Sequence, residues 1–134
     1  MTAPSDADRE TLAALEHHWA ACDAGDQDAA HEIYHDDVVV EWPQSGERVR
    51  GRANLHALRS HHPSTLRFTT RRILGGGDLW VTEYLITYTG EPVHTVSIME
   101  LRDGKVARET HYFAEPFDAP EWRAQWVERM PAGT

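Results

Sequence analysis

Residues 79–117 constrain the fold most, because they contain three extended runs joined by two tight turns. One turn contains Thr89-Gly90-Glu91-Pro92 and the other contains Asp103-Gly104. An Asp-Gly pair between alternating runs is a strong hairpin signal, since both central residues of such a turn need positive φ. The block therefore predicts three antiparallel strands. Strands of this length need a covering layer on one face, and the rest of the chain has to supply it.

The composition indicates one folded domain that lacks a basic surface. The 134 residues fit a single domain over residues 1–134, with residues 1–5 expected to be flexible. A formal net charge of −9 and 13 scattered basic residues argue against a nucleic-acid partner. The single cysteine, Cys22, excludes an intramolecular disulfide. No apolar run approaches the ~20 residues of a membrane span, so we expect no membrane partner and a cytoplasmic protein.

The chain before residue 79 predicts the covering helices. Apolar residues at helical spacing, Leu12, Leu15, Trp19 and Cys22, follow an acidic start and predict a first helix that ends at Gly25. A second, short helix is expected to start at Asp26 and to run through residues 29–34, closing at Asp36-Asp37. The elements predicted next are a strand over residues 38–42, a third helix over residues 52–62 and a strand over residues 66–74.

A terminal helix is expected after Pro116, because residues 118–121 place an acidic residue and a proline where helices begin. Trp122 and Trp126 then share one helix face. We expect this face to pack over a sheet edge or a cavity mouth of the same chain; the alternative is a contact with a partner chain. The order of elements predicts an α+β fold, with helices on one side of a mostly antiparallel sheet.

Several motifs extend over nearly the whole chain: residues 19–26 (WAACDAGD), 34–40 (YHDDVVV), 103–106 (DGKV) and 109–126. In these motifs the chain resembles the nuclear transport factor 2-like superfamily, in particular small bacterial SnoaL-like (polyketide cyclase and ketosteroid isomerase-like) proteins. The resemblance implies a cone-like curved sheet wrapped around N-terminal helices, a mostly apolar cavity, and a homodimer formed through the outer sheet face. Members include cyclases, isomerases, dehydratases, hydrolases and non-catalytic binders, so the fold does not define the activity.

Strand alternation divides each strand into two faces, but it does not say which face is inside. The resemblance to ketosteroid isomerases places Ile98, Glu109, His111 and Phe113 inward, with His18 at the cavity. The polar candidates for the pocket include Glu100. The ligand-binding residues expected on this basis are Trp19, Trp42, Tyr84, Ile86, Ile98, Glu100 and Phe113.

Ketosteroid isomerase chemistry does not carry over to this sequence. That branch uses a tyrosine, an aspartate base and a protonated carboxylic acid, and the matching positions hold His18, Trp42 and Ile98. In the SnoaL cyclase branch a carboxylate on the last strand acts as acid and base, and the nearest match is His111. A histidine titrates near ~6.5, which suits proton transfer at neutral pH. The candidate catalytic residues are therefore His111, Glu109 as its orienting partner, and His18 or Tyr84 as a donor to a developing oxyanion.

Each of these residues also has a structural interpretation. His111 is equally compatible with a core histidine that is hydrogen-bonded to Glu109, Glu100 or Tyr84, and His18 with simple packing on an apolar helix face. Two functions therefore stay open. One is a cofactor-independent acid/base enzyme acting on a hydrophobic or cyclic organic substrate, as a cyclase, isomerase, dehydratase or hydrolase. The other is a non-catalytic ligand-binding or accessory dimer of the same fold.

Residues 31–35 read H-E-x-x-H, a spacing that puts two imidazoles on one helix face in zinc metalloproteases. The predicted helix is short, and no third ligand follows at a fixed spacing. Its inner face is expected to be Ala30 and Ile33, not His31 and His35. We therefore expect no metal site here.

Overall fold

A computed structural model describes residues 5–131. The helices are α1 (Asp6–Ala24), α2 (Gln27–Ala30) and α3 (Arg52–Ser60), and a 3-10 turn spans Glu121–Trp126. The strands are β1 (Tyr34–Trp42), β2 (Glu47–Arg50), β3 (Arg67–Gly76), β4 (Leu79–Thr87), β5 (Val93–Arg102) and β6 (Lys105–Ala114). The flexibility expected for residues 1–4 lies outside the described residues. Ser5 caps α1, because its Oγ accepts the Asp8 N–H at 3.0 Å.

The six strands form one sheet in the order β2-β1-β6-β5-β4-β3. Every neighbouring pair is antiparallel except β1 and β6, which are parallel. Asp103 and Gly104 have φ values of 53° and 79°, as the predicted hairpin turn requires. The α+β fold with a curved, mostly antiparallel sheet and helices on one face is confirmed. Among residues 5–131 no helix is long and apolar enough to cross a membrane.

Several elements differ from the prediction. The second helix ends at Ala30 and β1 begins at Tyr34, so residues 34–37 are strand and not helix. Strand β2 was missed, since Glu-Arg-Val-Arg carries almost no apolar alternation and is held by its pairing with β1. Helix α3 ends at Ser60 and not at residue 62, and Leu58 near its end is 45% exposed.

The core lies between α1 and the concave face of the sheet. Leu15 and Trp19 of α1 are buried against this face, and the Trp19 indole N–H donates to Thr82 Oγ1 on β4 at 3.1 Å. Trp19 also lies 4.2 Å from Tyr84 between ring centroids. Burial of an aromatic side chain contributes roughly 1.5–3 kcal/mol to the free energy of unfolding, so Trp19 makes one of the main contacts that hold α1 against the sheet.

The inward face of the sheet follows from the strand register. Three rows of paired residues cross β4, β5 and β6 on this face: Trp80–Met99–Glu109, Thr82–Ser97–His111 and Tyr84–Thr95–Phe113. The predicted inward positions of Glu109, His111 and Phe113 on β6 therefore agree with the register, as does that of Tyr84 on β4.

The prediction for β5 is wrong. Ile98 pairs with Thr110 and Glu100 pairs with Arg108, so both lie on the outer face, and Glu100 is exposed. The cause is a register shift beside the Asp-Gly turn, where Ala107 is an extra residue on β6. One extra residue reverses the face of every side chain beyond it, and without it Ile98 would lie opposite Glu109.

The packing expected for the terminal tryptophans within the chain is also wrong. Trp122 is 75% exposed and Trp126 is 72% exposed. The segment forms a six-residue 3-10 helix and not an α-helix, and with three residues per turn, side chains four positions apart do not share one face. A contact between these tryptophans and a partner chain stays a prediction.

Candidate ligand-binding site

A cavity of about 450 Å³ opens between α1, α3 and the concave face of the sheet. Most of its wall is apolar and includes Trp19, Leu66, Phe68, Ile86 and Phe113. The polar groups on its inner wall are His18, Arg59, Tyr84 and His111. An apolar cavity with a few converging polar groups is the usual form of a small-molecule site.

A fully buried carboxylate, Glu109, lies directly behind this wall. Its Oε1 accepts the Tyr34 hydroxyl at 2.5 Å, and its Oε2 accepts the Ser97 hydroxyl. Arg59 Nη2 lies 3.6 Å from Oε1. Burial alone raises the pKa of Glu109, but the close contact with His111 and the positive charge of Arg59 outweigh it and hold that pKa well below its usual range. Glu109 is therefore ionised.

His111 links this carboxylate to the cavity. Its Nδ1 accepts the Trp42 indole N–H at 3.1 Å, so the neutral ring carries its proton on Nε2. Nε2 lies 2.8 Å from Glu109 Oε2, but off the direction that a hydrogen bond requires. Among residues 5–131 it is the one buried side-chain nitrogen or oxygen without a hydrogen bond. The contact is therefore mainly electrostatic, and the basic nitrogen, Nδ1, points away from the carboxylate.

Arg59 is a site residue that the sequence prediction missed. It lies near the end of α3, where its Nη1 donates to the Tyr34 hydroxyl at 3.0 Å and to His31 Nε2 at 3.3 Å. The signal that points to it is its spacing of four residues from buried Leu55, which puts both on one helix face. The ion pair with Glu109 and the hydrogen bond to the Tyr34 hydroxyl stabilise the charged guanidinium of Arg59.

His18 is buried and neutral. Its Nδ1–H donates to the Ala30 carbonyl at 2.6 Å, and its Nε2 lies 3.7 Å from Cys22 Sγ. Burial lowers the pKa of His18 to about 4. The ring therefore has no N–H left for a ligand oxygen, and the donor role expected of His18 or Tyr84 is open to Tyr84 alone. Burial raises the pKa of Tyr84 well above its usual value, which keeps its hydroxyl protonated.

The two histidines of the H-E-x-x-H motif do not share a helix face. His31 follows the last residue of α2, where its Nδ1–H donates to the Gln27 carbonyl at 2.6 Å. His35 lies on β1 and binds the Arg102 carbonyl. The expectation that His31 lies off the inner face is wrong, because the early helix end turns its ring into the interior, where it is 3% exposed. Residues 5–131 contain no group of three or more potential metal ligands.

Most of the predicted site residues meet at the cavity. The lining includes His18, Trp19, Trp42, Tyr84, Ile86, His111 and Phe113. Glu109 lies behind the lining, in contact with His111. Ile98 and Glu100 are not part of the site, because both lie on the outer face of the sheet.

The chain belongs to the SnoaL-like domain family, whose family model matches residues 15–109. An NTF-2 like protein of unknown function from Burkholderia xenovorans is 55% identical, with a TM-score of 0.88 over 95% of this chain and 100% of that chain. No curated protein matches the chain significantly.

Two further crystal structures share the fold. A Kribbella flavida protein, provisionally assigned as a ketosteroid isomerase, is 27% identical, with a TM-score of 0.84 over 93% of each chain. An LEH-like epoxide hydrolase from M. tuberculosis is 22% identical, with a TM-score of 0.65 over 78% of this chain and 83% of that chain. The second likeness shows the fold alone.

Replacing the buried carboxylate should strongly destabilise the protein. In Glu109→Gln the partly buried Arg59 guanidinium loses its counter-charge, which we expect to lower the free energy of unfolding by about 3–5 kcal/mol. The matched control is Glu100→Gln, an exposed carboxylate on the neighbouring strand, with an expected change of about 0.5 kcal/mol or less. Urea unfolding measures both, and equal midpoints would contradict the role given to Glu109.

Stability should fall as the pH is lowered from 6.5 towards 4.5. An unfolded histidine titrates near 6.5, whereas the pKa of folded His18 is about 4. Between these values the unfolded state binds more protons, so the stabilisation is complete above pH 6.5 and is lost on acidification. Over this window the loss is roughly 2 kcal/mol for His18. Burial also lowers the pKa of His31 to about 4, which adds a similar loss.

A pair of adjacent histidines isolates the contribution of His18. His18→Asn should reduce the dependence of unfolding free energy on pH by roughly half, because His31 still contributes, while His17→Asn, an exposed neighbour on the same helix, should leave it unchanged. Glu109 stays ionised across this window because its pKa is held low. Urea unfolding at a series of pH values gives the slopes, and identical slopes in the two variants would show that His18 does not titrate as described.

Proposed function

We propose that the protein binds a small hydrophobic or cyclic organic molecule in this cavity and converts it by cofactor-independent acid/base chemistry. The reaction class is cyclisation, isomerisation, dehydration or hydrolysis. The observation that supports this is the His111–Glu109 pair, in which an ionised carboxylate stands behind a histidine that faces an apolar cavity. Proton transfer to or from a ligand needs such a base with an orienting partner.

The roles of the residues follow from the proton positions. His111 Nδ1 carries the lone pair and is the proton acceptor, while Glu109 beside Nε2 stabilises the imidazolium that forms. The Tyr84 hydroxyl lines the cavity and stays protonated, so it can donate to a developing oxyanion on the ligand. For the transfer, a ligand group takes the place of the Trp42 indole N–H at Nδ1.

A second candidate, a non-catalytic binder, is favoured by the same indole contact. The Trp42 N–H already satisfies the basic nitrogen of His111 at 3.1 Å, and Glu109 is fully engaged by its neighbours. If Trp42 stays in place when the ligand binds, His111 is a wall residue and the cavity only holds its ligand.

Ketosteroid isomerisation is not part of the proposal, although one relative is provisionally assigned to it. The positions matched to that machinery hold an imidazole whose N–H is engaged (His18), an indole (Trp42) and an outward alkyl chain (Ile98). The inward residues beside Ile98 are Ser97 and Met99, and neither is a carboxylic acid. No residue in this set can serve as the protonated acid.

A proton-exchange experiment distinguishes the acid/base enzyme from the non-catalytic binder. We expect wild-type protein in D2O to catalyse deuterium incorporation next to the carbonyl of at least one member of a panel of cyclic ketones and β-dicarbonyl compounds. His111→Asn retains an acceptor for the Trp42 N–H but cannot exchange a proton, so its rate should fall by roughly 10²–10⁴-fold. NMR spectroscopy follows both the exchange and the binding.

His94→Asn is the matched control, since His94 is exposed on the outer face of the sheet. Its exchange rate should equal that of the wild type. Full exchange by His111→Asn would rule out the assigned base. Saturable binding of panel members without any exchange would favour the non-catalytic binder.

We also propose that the protein is a homodimer that pairs through its outer sheet face. Leu74 and Leu79 are each 53% exposed, and Tyr112 and half-buried Ile98 lie on the same face of neighbouring strands. Exposed apolar side chains on a sheet face are typical of an interface. The exposed Trp122 adds apolar surface that a partner chain can cover.

A charge placed in this face should break the dimer. Ile98→Arg is expected to elute as a monomer in size-exclusion chromatography with light scattering at micromolar concentration, because an unpaired guanidinium would be buried in the interface. Ala13→Arg, an equally large change at an exposed position of α1, should remain dimeric. If both variants remain dimeric, the interface does not lie on the outer face of the sheet and the proposal is wrong.

A further inference from the structure

The guanidinium of Arg59 is only partly used by the protein. Its two Nη1 hydrogens are engaged by the Tyr34 hydroxyl and His31 Nε2. Nε has no hydrogen-bond partner among residues 5–131, and Nη2 lies 3.6 Å from the nearest Glu109 oxygen, beyond hydrogen-bond length. The side chain lines the cavity and is 21% exposed. At least the Nε–H and the two Nη2 hydrogens therefore have no protein acceptor.

The acceptors on this side of the cavity are already occupied. Glu109 receives the hydroxyls of Tyr34 and Ser97, His111 Nδ1 receives the Trp42 indole, and His18 Nε2 faces the Cys22 thiol. The unused polar groups are donors: the Arg59 N–H groups and the hydroxyl of Tyr84. A ligand that satisfies them has to present acceptor oxygens.

The charged residues around the cavity indicate which acceptor group the ligand carries. Arg59 and Glu109 form a pair with no net charge, so every negative charge on a ligand adds to the net charge of the site, and a phosphate dianion is disfavoured more than a monoanion. A carboxylate carries one charge and matches the planar fork of a guanidinium with two oxygens. At the rim, Asp23 also lines the cavity, and its carboxylate accepts the Arg67 Nε–H at 2.8 Å. The Asp23–Arg67 pair also carries no net charge, so the unused cationic donors of the cavity are those of Arg59 at the inner wall.

We propose that the ligand of this cavity is a hydrophobic or cyclic carboxylic acid whose carboxylate binds Arg59, with its ring against Phe68 and Phe113. The inference deepens the proposed function and rests on it, since it names the ligand class of the same cavity. Arg59 is then the residue that selects acids over neutral molecules of the same shape. The apolar wall contributes affinity, and the guanidinium sets the orientation.

A charged and a neutral molecule of equal shape test this selection. 2-Naphthoate and 2-naphthamide differ in charge and hardly in size, and isothermal titration calorimetry at pH 7 measures the affinity of each for the intact protein. We expect the wild type to prefer naphthoate by about tenfold or more, as a charge-assisted hydrogen bond implies. Arg59→Gln should bring the ratio of affinities close to one. Arg72→Gln, an exposed arginine on β3, should retain the wild-type ratio.

Arg59→Gln removes the counter-charge of Glu109 and is therefore expected to be less stable than the wild type. A second measurement on the wild-type protein does not depend on that variant. The Arg59 Nε–H resonance in ¹⁵N-resolved NMR should shift on addition of naphthoate and stay in place with naphthamide. Equal affinities for the two molecules and an unmoved resonance would overturn the inference and leave apolar binding in the cavity intact. If neither molecule nor neutral 2-methylnaphthalene binds, the proposed function fails, and the inference fails with it.

Discussion

The structure depends on one buried carboxylate. Glu109 is fully removed from solvent, and an unpaired charge there would cost several kcal/mol. Its partners come from four separate elements: Tyr34 from β1, Arg59 from α3, Ser97 from β5 and His111 from β6. Satisfying this one charge therefore positions a helix against the sheet and orients the residues of the candidate site.

The same network divides the cavity into regions with different chemistry. Most of its wall is aromatic or aliphatic, whereas the polar groups near Glu109 leave unused donors at Arg59 and Tyr84. His111 occupies the boundary between them, with its basic nitrogen covered by the Trp42 indole. Ligand binding, proton transfer and selection of an acid are thus proposed for one continuous site. If the ligand displaces the Trp42 indole from His111, the site can act as an enzyme; if the indole stays in place, the protein only binds its ligand.

Local sequence signals predicted the parts of the fold that depend on neighbours along the chain. The Asp103-Gly104 turn needs positive φ at both residues and has it. The capping of α1 by Gly25 was predicted equally well, whereas the inward set of β6 was implied by the family resemblance and agrees with the register. The extra residue at Ala107 breaks the alternation of β6, where Val106 and Glu109 are both buried, and leaves that of β5 unchanged, so the sequence of β5 gave no sign that Ile98 and Glu100 lie on the outer face.

The sequence by itself determined the fold class and the hairpins, because these follow from backbone preferences and from the periods of helices and strands, and the family resemblance added the acid/base candidates on β6. Only the tertiary structure decided which groups surround them. Arg59 lies 50 residues from Glu109 in the chain, and Tyr34 lies 75 residues from it. The three meet because a buried charge requires partners that no local pattern specifies. The segment 109–113 keeps its odd-numbered side chains inward, but their chemistry is set by β1, α3 and β5.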